Sequence, residues 1–198
     1  GSRVCKSLDC TGFTGTLAGT STPQLTISGS LTLGAGMTNS LTGTIIINAT
    51  STINTNGIPI STLTTISNVT YTLASDISIT TRWNANTTSA VTITVSFNIN
   101  VSGDFNTNST SGNVTFTNTT ISLTGNSTWT GHSSGGTVLV GANITINCTT
   151  LTITNFNSFG ANTTLTYTAG TVTTTGTTLI LRGTGITLNT KCYSNIVQ

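Results

Sequence analysis

The stretch Val-Thr-Ile-Thr at residues 91–94 shows the pattern that decides the fold of this chain, in which apolar residues alternate with Thr, Ser or Asn. Similar stretches recur along the sequence: LTIS at 25–28, IIIN at 45–48, VTYT at 69–72, VTFT at 114–117, ITIN at 144–147, LTYT at 165–168 and ITLN at 186–189. Alternation with a period of two places one side of a β-strand in a protein core and the other side in water. The pattern therefore predicts a series of short, half-buried strands.

The central apolar residues of these stretches recur at nearly constant intervals. They are Ile27, Ile47, Tyr71, Ile93, Phe116, Ile146, Tyr167 and Leu188, and they lie 20 to 24 residues apart except for one interval of 30. A second apolar residue follows most of them five or six positions later, as Leu33 follows Ile27 and Ile99 follows Ile93. The repeating unit therefore contains at least two strands joined by a short bend, followed by a longer return.

A unit of this size is too small to bury its own apolar side, but stacked units bury a continuous column. We therefore predict an all-β fold, a right-handed parallel β-helix (solenoid) of about eight coils of 20–24 residues, forming a single domain over residues 1–198. The side chains expected to stack inside it are Ile27, Tyr71, Ile93 and Phe116. Those expected to point outwards are Thr26, Thr70, Thr92 and Thr115.

Two features of the sequence qualify this prediction. The stretch GNSTWTGHSSGG at 125–136 is rich in turn-forming residues, and we expect an inserted loop there. Short strands at regular spacing also suit an antiparallel β-sandwich or jelly roll, as found in pilus-like subunits of surface filaments that complete each other by strand exchange. That fold is the alternative to the solenoid.

Charged side chains are rare in this chain and restrict its partners. They make up 4% of the residues, against about 25% in typical soluble proteins, and the formal net charge is +2. The few bases form no cluster, so we expect no nucleic-acid partner, which would need many Lys or Arg contacts to phosphate. No apolar run approaches the roughly 18 residues of a membrane span, so none is expected. Because copies of such a chain repel each other weakly, self-association into a homo-oligomer or filament is expected.

The stretches CTGFTGTLAG at 10–19 and LTISGSLTLGAGMTNSLTGTIIINAT at 25–50 carry a resemblance to a known group of proteins. They resemble the Thr/Gly/Asn-rich parallel β-helix repeat regions of large surface proteins, found in bacterial adhesin-like chains and in phage tail-fibre or tailspike-like proteins. The resemblance implies an extracellular location on a cell or virion surface, and a stalk or fibre segment that contacts neighbouring parts of a longer fibre. It brings no catalytic or binding residues with it.

Residues suited to catalysis are few and scattered. Glycoside hydrolysis typically uses two acids at one site, but Asp76 and Asp104 are more than one coil apart, and Asp is common at bends. The stretch GHSSG at 131–135 matches the nucleophile motif around Ser133, but no helix is expected after it and His132 is the only histidine. One His and four scattered Cys form no metal-ligand spacing. We therefore expect no enzymatic activity, cofactor or metal.

The four cysteines permit three pairings, and one pairing is expected from proximity. Cys5 and Cys10 are close enough in sequence to form a disulfide across the first turn. Cys148 and Cys192 lie about two coils apart, or roughly 9.6 Å, which exceeds the usual reach of a disulfide. Cys148 is therefore expected to be a buried free thiol.

Sequons of the type N-x-S/T are numerous and mark possible glycosylation sites in a secreted protein. They begin at Asn48, Asn68, Asn86, Asn100, Asn108, Asn113, Asn118, Asn126, Asn143, Asn147 and Asn162. The alternative is that a chain so rich in Asn and Thr contains sequons by composition alone. Glycosylation would suit a surface filament.

Two further ligand classes follow from the sequence, glycans and ice. Trp129 and His132, in the expected loop, are candidate ligand contacts, and Trp83 and Tyr193 are other aromatic residues that could stack on a cell-surface glycan. Paired threonines resemble the flat ladders of β-helical antifreeze proteins, and they are Thr70/Thr72, Thr92/Thr94, Thr115/Thr117, Thr152/Thr154 and Thr166/Thr168. Their unequal spacings argue against a regular lattice, and Thr is in any case a common outward-facing strand residue.

Overall fold

The alternating stretches form β-strands that stack on one another along the chain. The structure is a computed structural model. It describes residues 2–19, 23–66, 69–85, 91–94, 97–106, 114–130, 138–154, 164–175, 179–180, 188–189 and 196–197. No helix is found among these residues, as expected for a chain rich in β-branched residues and poor in helix formers.

Twenty strands are assigned in this part of the chain. They are β1 (Arg3–Cys5), β2 (Leu8–Asp9), β3 (Thr16–Leu17), β4 (Leu25–Ile27), β5 (Leu31–Thr32), β6 (Thr38–Asn39), β7 (Thr44–Ile47), β8 (Ser51–Asn54), β9 (Ile60–Thr65), β10 (Val69–Leu73), β11 (Ile77–Asn84), β12 (Val91–Thr94), β13 (Ile99–Val101), β14 (Asp104–Asn106), β15 (Val114–Thr130), β16 (Val138–Thr154), β17 (Thr164–Thr175), β18 (Leu179–Ile180), β19 (Leu188–Asn189) and β20 (Ile196–Val197).

Every strand pair in the described residues is parallel, and each strand pairs with strands about one coil earlier or later. An antiparallel sandwich would pair strands that follow one another through hairpins. The prediction of an all-β parallel solenoid is therefore confirmed for the described residues, and the antiparallel alternative is wrong.

The strands lie on three faces, joined at corners. The first face contains β1, β4, β7, the end of β9, the end of β11, and β14. The second face contains β2, β5, β8, β10, β12 and the start of β15. The third face contains the start of β11, β13 and the middle of β15. The sequence predicted at least two strands per coil, and the middle coils have three.

Four turns of the solenoid can be followed from Leu25 through Ile45, Leu63 and Trp83 to Phe105, each residue paired with the next. The count of about four differs from the eight coils expected from the sequence. Parallel pairing continues from β14 into β15, β16 and β17. Coil length varies from 18 residues, between Ile45 and Leu63, to 24, between Phe105 and Trp129.

The core is a continuous apolar column inside the three faces. On the first face, Ile45, Leu63, Trp83, Phe105 and Trp129 are each no more than 1% exposed. The second and third faces add further buried residues, and these are Leu31, Ile53, Tyr71, Leu73, Ile77, Ile79, Ile99, Val101, Ile121 and Leu123. Burial of this apolar surface provides the main driving force for folding.

The single inner stack predicted from the sequence is wrong in its membership. Tyr71, Ile93 and Phe116 do pair in one column of the second face. Ile27 and Ile47, by contrast, pair with each other on the first face, and Ile47 then pairs with Thr65 rather than with Tyr71. The same alternating motif is used on every face, so similarity between motifs does not identify the face.

The prediction of a loop at 125–136 is wrong for residues 125–130, which form part of a strand. Residues 125–130 belong to β15, and Trp129 pairs with Phe105 below it and Ile153 above it. Gly, Asn and Ser favour turns in isolation, but strands on either side supply hydrogen-bond partners that override this preference. Residues 131–136 lie outside the described residues.

Two corners show how the chain bends between faces. Asn56 and Gly57 both adopt positive φ, at 48° and 79°, and the Asn56 side-chain amide donates a hydrogen bond to the Leu33 carbonyl of the preceding coil at 2.7 Å. At Gly103, a side chain would collide with the backbone carbonyl of Thr81, so the close approach of two coils requires glycine there.

Candidate functional site

The outward sides of the three faces differ in chemistry. On the second face, the strand register aligns threonines in two backbone columns over four successive coils, and the side chains described there are those of the first two coils. One column contains Thr50, Thr70, Thr92 and Thr115, and the other contains Thr52, Thr72, Thr94 and Thr117. We call these eight residues the threonine array.

The array is held in register by the backbone. Thr72 pairs with Thr52 on one side and with Thr94 on the other, and Thr94 pairs with Thr117, with no register shift in these pairs. The side chains of Thr50, Thr52, Thr70 and Thr72 are exposed. The predicted single row of five threonine pairs is wrong in its membership, because the strand of Thr152/Thr154 continues the first face and that of Thr166/Thr168 the third. The three pairs Thr70/Thr72, Thr92/Thr94 and Thr115/Thr117 do share the second face despite their unequal spacing.

The outward side of the first face carries charge. Arg82 and Asp104 are register neighbours, and their side chains form an ion pair with Nη2 and Oδ2 2.8 Å apart. Both side chains are largely exposed, at 54% and 40%, so the pair contributes about 0–1 kcal/mol to stability. The pair links two neighbouring coils that the backbone register already aligns.

The other two carboxylates also make local structural contacts. Asp76 accepts hydrogen bonds from the backbone N–H of Asn98 at 2.8 Å and from its side-chain amide at 3.3 Å, which joins two coils at a corner. Asp9 accepts from the hydroxyl of Thr11 at 2.6 Å and from its backbone N–H at 2.9 Å. These two hydrogen bonds, the hydroxyl's first, lower the pKa of Asp9.

Trp129, a candidate ligand contact, lies in the core and not on the surface. It is 0% exposed, and its ring meets Phe105 edge to face, with centroids 5.1 Å apart. Phe105 meets Trp83 in the same way at 5.5 Å. The two tryptophans are therefore part of an aromatic stack on the first face and do not present a platform for sugars. His132, Ser133 and Tyr193 lie outside the described residues.

The predicted disulfide partners are free thiols in the structure. Cys5 and Cys10 are half-buried, and both pack against the apolar column at its first coil. Burial, and then the nearby charge of Asp9, raise the pKa of the Cys10 thiol. Cys148 belongs to β16, and its burial lies outside the described side chains, as does Cys192. A bond between Cys5 and Cys10 stays a prediction.

The sequons fall in different structural contexts. Asn48 is exposed at the corner between β7 and β8, whereas Asn100 lies within β13, half-buried between Ser78 and Ser122 of the neighbouring coils. Asn118, Asn126, Asn143 and Asn147 lie in β15 and β16, and the remaining candidates, which are Asn68, Asn86, Asn108, Asn113 and Asn162, lie outside the described residues. Of the sequons with described side chains, Asn48 is the one open to modification after folding.

A cleft of about 360 Å³ lies near the first coils. It is lined mainly by Leu17, Pro23, Leu25 and Leu41, with Arg3 as its charged residue. A lone guanidinium beside apolar side chains provides neither a nucleophile nor a general base. Within the described ranges, no three His, Cys, Asp or Glu side chains are grouped closely enough to hold a metal ion. The same part of the chain has no helix long and apolar enough to cross a membrane.

Comparison with known proteins gives no match. No protein-family model, no curated protein and no solved structure matches the chain. The described residues therefore define an all-β parallel solenoid with exposed threonines on its second face.

Proposed function

We propose that this chain is a non-enzymatic structural segment of an extracellular surface fibre, such as a virion fibre or the stalk of a bacterial adhesin. One observation carries the proposal, which is the continuous column of apolar side chains beneath in-register parallel strands. A rod of this kind resists bending and fraying because the strands on its faces are hydrogen-bonded from each coil to the next.

The axial hydrogen bonds illustrate this construction. At one corner, the backbone N–H of Ser28 bonds to the Cys5 carbonyl at 3.0 Å, that of Asn48 to Ile27 at 3.1 Å, and that of Ile66 to Ile47 at 3.2 Å. The same bond is thus repeated in successive coils. Carboxylates, the usual acids and bases of hydrolases, are used for contacts within and between coils instead.

The finer description of the rod belongs to the same proposal. The solenoid would be right-handed, as parallel crossovers almost always are. At roughly 4.8 Å per coil, the four turns that can be followed span about 19 Å, and pairing through β15, β16 and β17 extends the rod beyond them. Self-association, or contact with neighbouring parts of a longer fibre, would extend it.

A subunit of a strand-exchange filament is the main alternative, and it loses support. Such a subunit is an antiparallel sandwich completed by a strand from a neighbouring copy, whereas the described strands pair in parallel. A glycan-binding role through Trp129 loses support for a different reason, because that side chain is buried.

The test is the mass and shape of the intact chain, by light scattering behind a sizing column and by electron microscopy. A monomeric rod or a parallel trimer agrees with a fibre segment. Growth into long polymers by exchange of terminal strands would replace it with the filament alternative. Cleavage of a polysaccharide that is lost in Asp76→Asn or Asp104→Asn, or of an ester that is lost in Ser133→Ala, would overturn the non-enzymatic proposal.

A further inference from the structure

The corner between β8 and β9 contains the one Asn-Gly dipeptide of the chain, at Asn56 and Gly57. Both residues are exposed, and both adopt positive φ, at 48° and 79°. The backbone N–H of Ile58 donates to the Thr55 carbonyl at 2.9 Å, which closes a tight turn of the type that favours Asn followed by Gly. The turn explains why these two residues are suited to the corner, and the same two residues also have a chemistry of their own.

An asparagine followed by a glycine can react within the chain. The backbone nitrogen of the glycine attacks the side-chain Cγ of the asparagine and closes a five-membered succinimide ring. The bond between Cγ and Nδ2 breaks, and Nδ2 leaves as ammonia together with the proton of the glycine N–H. Water then opens the ring at either of its carbonyls, which gives aspartate or isoaspartate. Glycine favours the closure because it has no side chain to hinder its nitrogen and few restrictions on its backbone.

The structure leaves the nucleophile of this reaction accessible. Among the described residues, the N–H of Gly57 has no hydrogen-bond partner. A Cβ atom added to Gly57 would meet no heavy atom within 4 Å, so the peptide has open space in which to turn towards the Asn56 side chain. The hydrogen bonds that must break are the one that closes the turn and the one from Asn56 Nδ2 to the Leu33 carbonyl, which is 2.7 Å long. Ring closure therefore requires local opening of this corner and not unfolding of the surrounding coils.

Asn39 provides a comparison within the same chain. Its side-chain amide also donates to a carbonyl of a neighbouring coil, that of Pro59, at 2.9 Å. Asn39 is half-buried in β6, however, and the residue that follows it is Ser40, whose side chain hinders the backbone nitrogen. The two asparagines therefore make the same kind of contact between coils but differ in exposure and in the residue that follows.

We propose that Asn56 is a site of spontaneous deamidation in the folded solenoid, with the Gly57 nitrogen as the nucleophile and water as the other reactant. The reaction replaces the amide that donates to Leu33 by a carboxylate, which cannot donate and is repelled by the carbonyl. The net charge falls from +2 to +1 through the one negative charge that is added. The corner between these two coils therefore loosens as the protein ages. The proposal goes beyond the fibre role and does not depend on it.

The experiment incubates the intact, folded chain in mildly alkaline buffer and measures by peptide mass spectrometry the fraction of each asparagine converted to aspartate or isoaspartate. We expect Asn56 to convert first, and Asn39 to stay unchanged while most of Asn56 is converted. In Gly57→Asn the conversion of Asn56 should be lost, because Asn tolerates the positive φ of the turn but its side chain hinders the nitrogen. Asn56→Asp, which reproduces one product, should unfold at a lower urea concentration than the wild-type chain, because the bond to Leu33 is missing.

Several results would overturn the proposal. Conversion of Asn56 in urea but not in the folded chain would show that the fold closes the site. Equal rates at Asn56 and Asn39 would show that the corner gives no advantage. Undiminished conversion of Asn56 in Gly57→Asn, with an unchanged circular dichroism spectrum, would exclude the Gly57 nitrogen as the nucleophile. If Gly57→Asn does not fold, the comparison of Asn56 with Asn39 in the wild-type chain decides. A urea midpoint of Asn56→Asp equal to that of the wild-type chain would refute the loosening of the corner.

Discussion

Replacing Phe105 by alanine tests whether the aromatic stack holds the middle of the solenoid together. The Phe105 ring is fully buried and meets two other rings edge to face, Trp83 at 5.5 Å and Trp129 at 5.1 Å. Phe105→Ala would remove both contacts at once and leave a cavity that the rigid strands above and below cannot close.

The magnitude follows from the size of the cavity and the number of ring pairs. Truncation of a buried Phe costs about 3–5 kcal/mol, within which each edge-to-face pair contributes about 0.5–1.5 kcal/mol. With a slope of about 3 kcal/mol per M in urea for a chain of this size, the unfolding midpoint should fall by about 1–2 M. Phe105→Leu, which keeps most of the volume, should lose less than half as much.

Urea unfolding followed by tryptophan fluorescence is the appropriate assay, because Trp83 and Trp129 report on the coils around the mutation. Phe13→Ala is the matched control, since Phe13 is 45% exposed, and it should change stability by less than about 1 kcal/mol. If Phe105→Ala unfolded at the same urea concentration as Phe13→Ala, the aromatic stack would not stabilise the solenoid and the assignment of Phe105 to its core would be refuted.

Three more predictions concern single contacts. Tyr71→Phe should cost about 1 kcal/mol, because it removes a 2.7 Å hydrogen bond to the Ile47 carbonyl. Burial raises the pKa of Tyr71 to about 12, so absorbance should show one tyrosine that ionises late. The contribution of Tyr71 to the free energy of unfolding should be fully present below about pH 10 and should fall as pH rises towards 12. The pKa of Asp9 is lowered mainly by the Thr11 hydroxyl, so it should rise towards its ordinary value in Thr11→Val when followed by NMR. An unchanged pKa would contradict the hydrogen bond. The contribution of Asp9 to stability is lost as pH falls through the lowered pKa. A double-mutant cycle on Arg82 and Asp104 should give a coupling of at most about 1 kcal/mol that decreases with added salt, and a larger, salt-independent value would contradict an exposed pair.

The solenoid could be predicted from the sequence because its cause is local. Alternation of apolar and polar residues specifies a half-buried strand, and a period of about one coil specifies stacking. The assignment of strands to faces could not be predicted in the same way. Ile27 precedes a corner between the first and second faces, whereas Tyr71 precedes one between the second and third, yet both are followed by an apolar residue six positions later.

The surface was harder to predict than the core. Trp129 was expected in a loop because Gly, Asn and Ser surround it, but its pairing with Phe105 depends on strands distant in sequence. The paired threonines are visible in the sequence, but their spacings do not show which pairs share a face. Register is decided by hydrogen bonds between coils, which spacing along the chain does not reveal. His132 and the other residues outside the described ranges keep their roles as predictions.

The corners have a consequence for how such a chain can change over generations. Coils of 18, 20 and 22 residues stack on the same columns, since the differences are absorbed between strands. A gene duplication or deletion of roughly one coil, even one with boundaries misplaced by a residue or two, would still encode a stackable unit. Length in this protein is therefore a property that unequal recombination can alter in small steps, without the simultaneous compensating mutations that an interlocked globular core would demand.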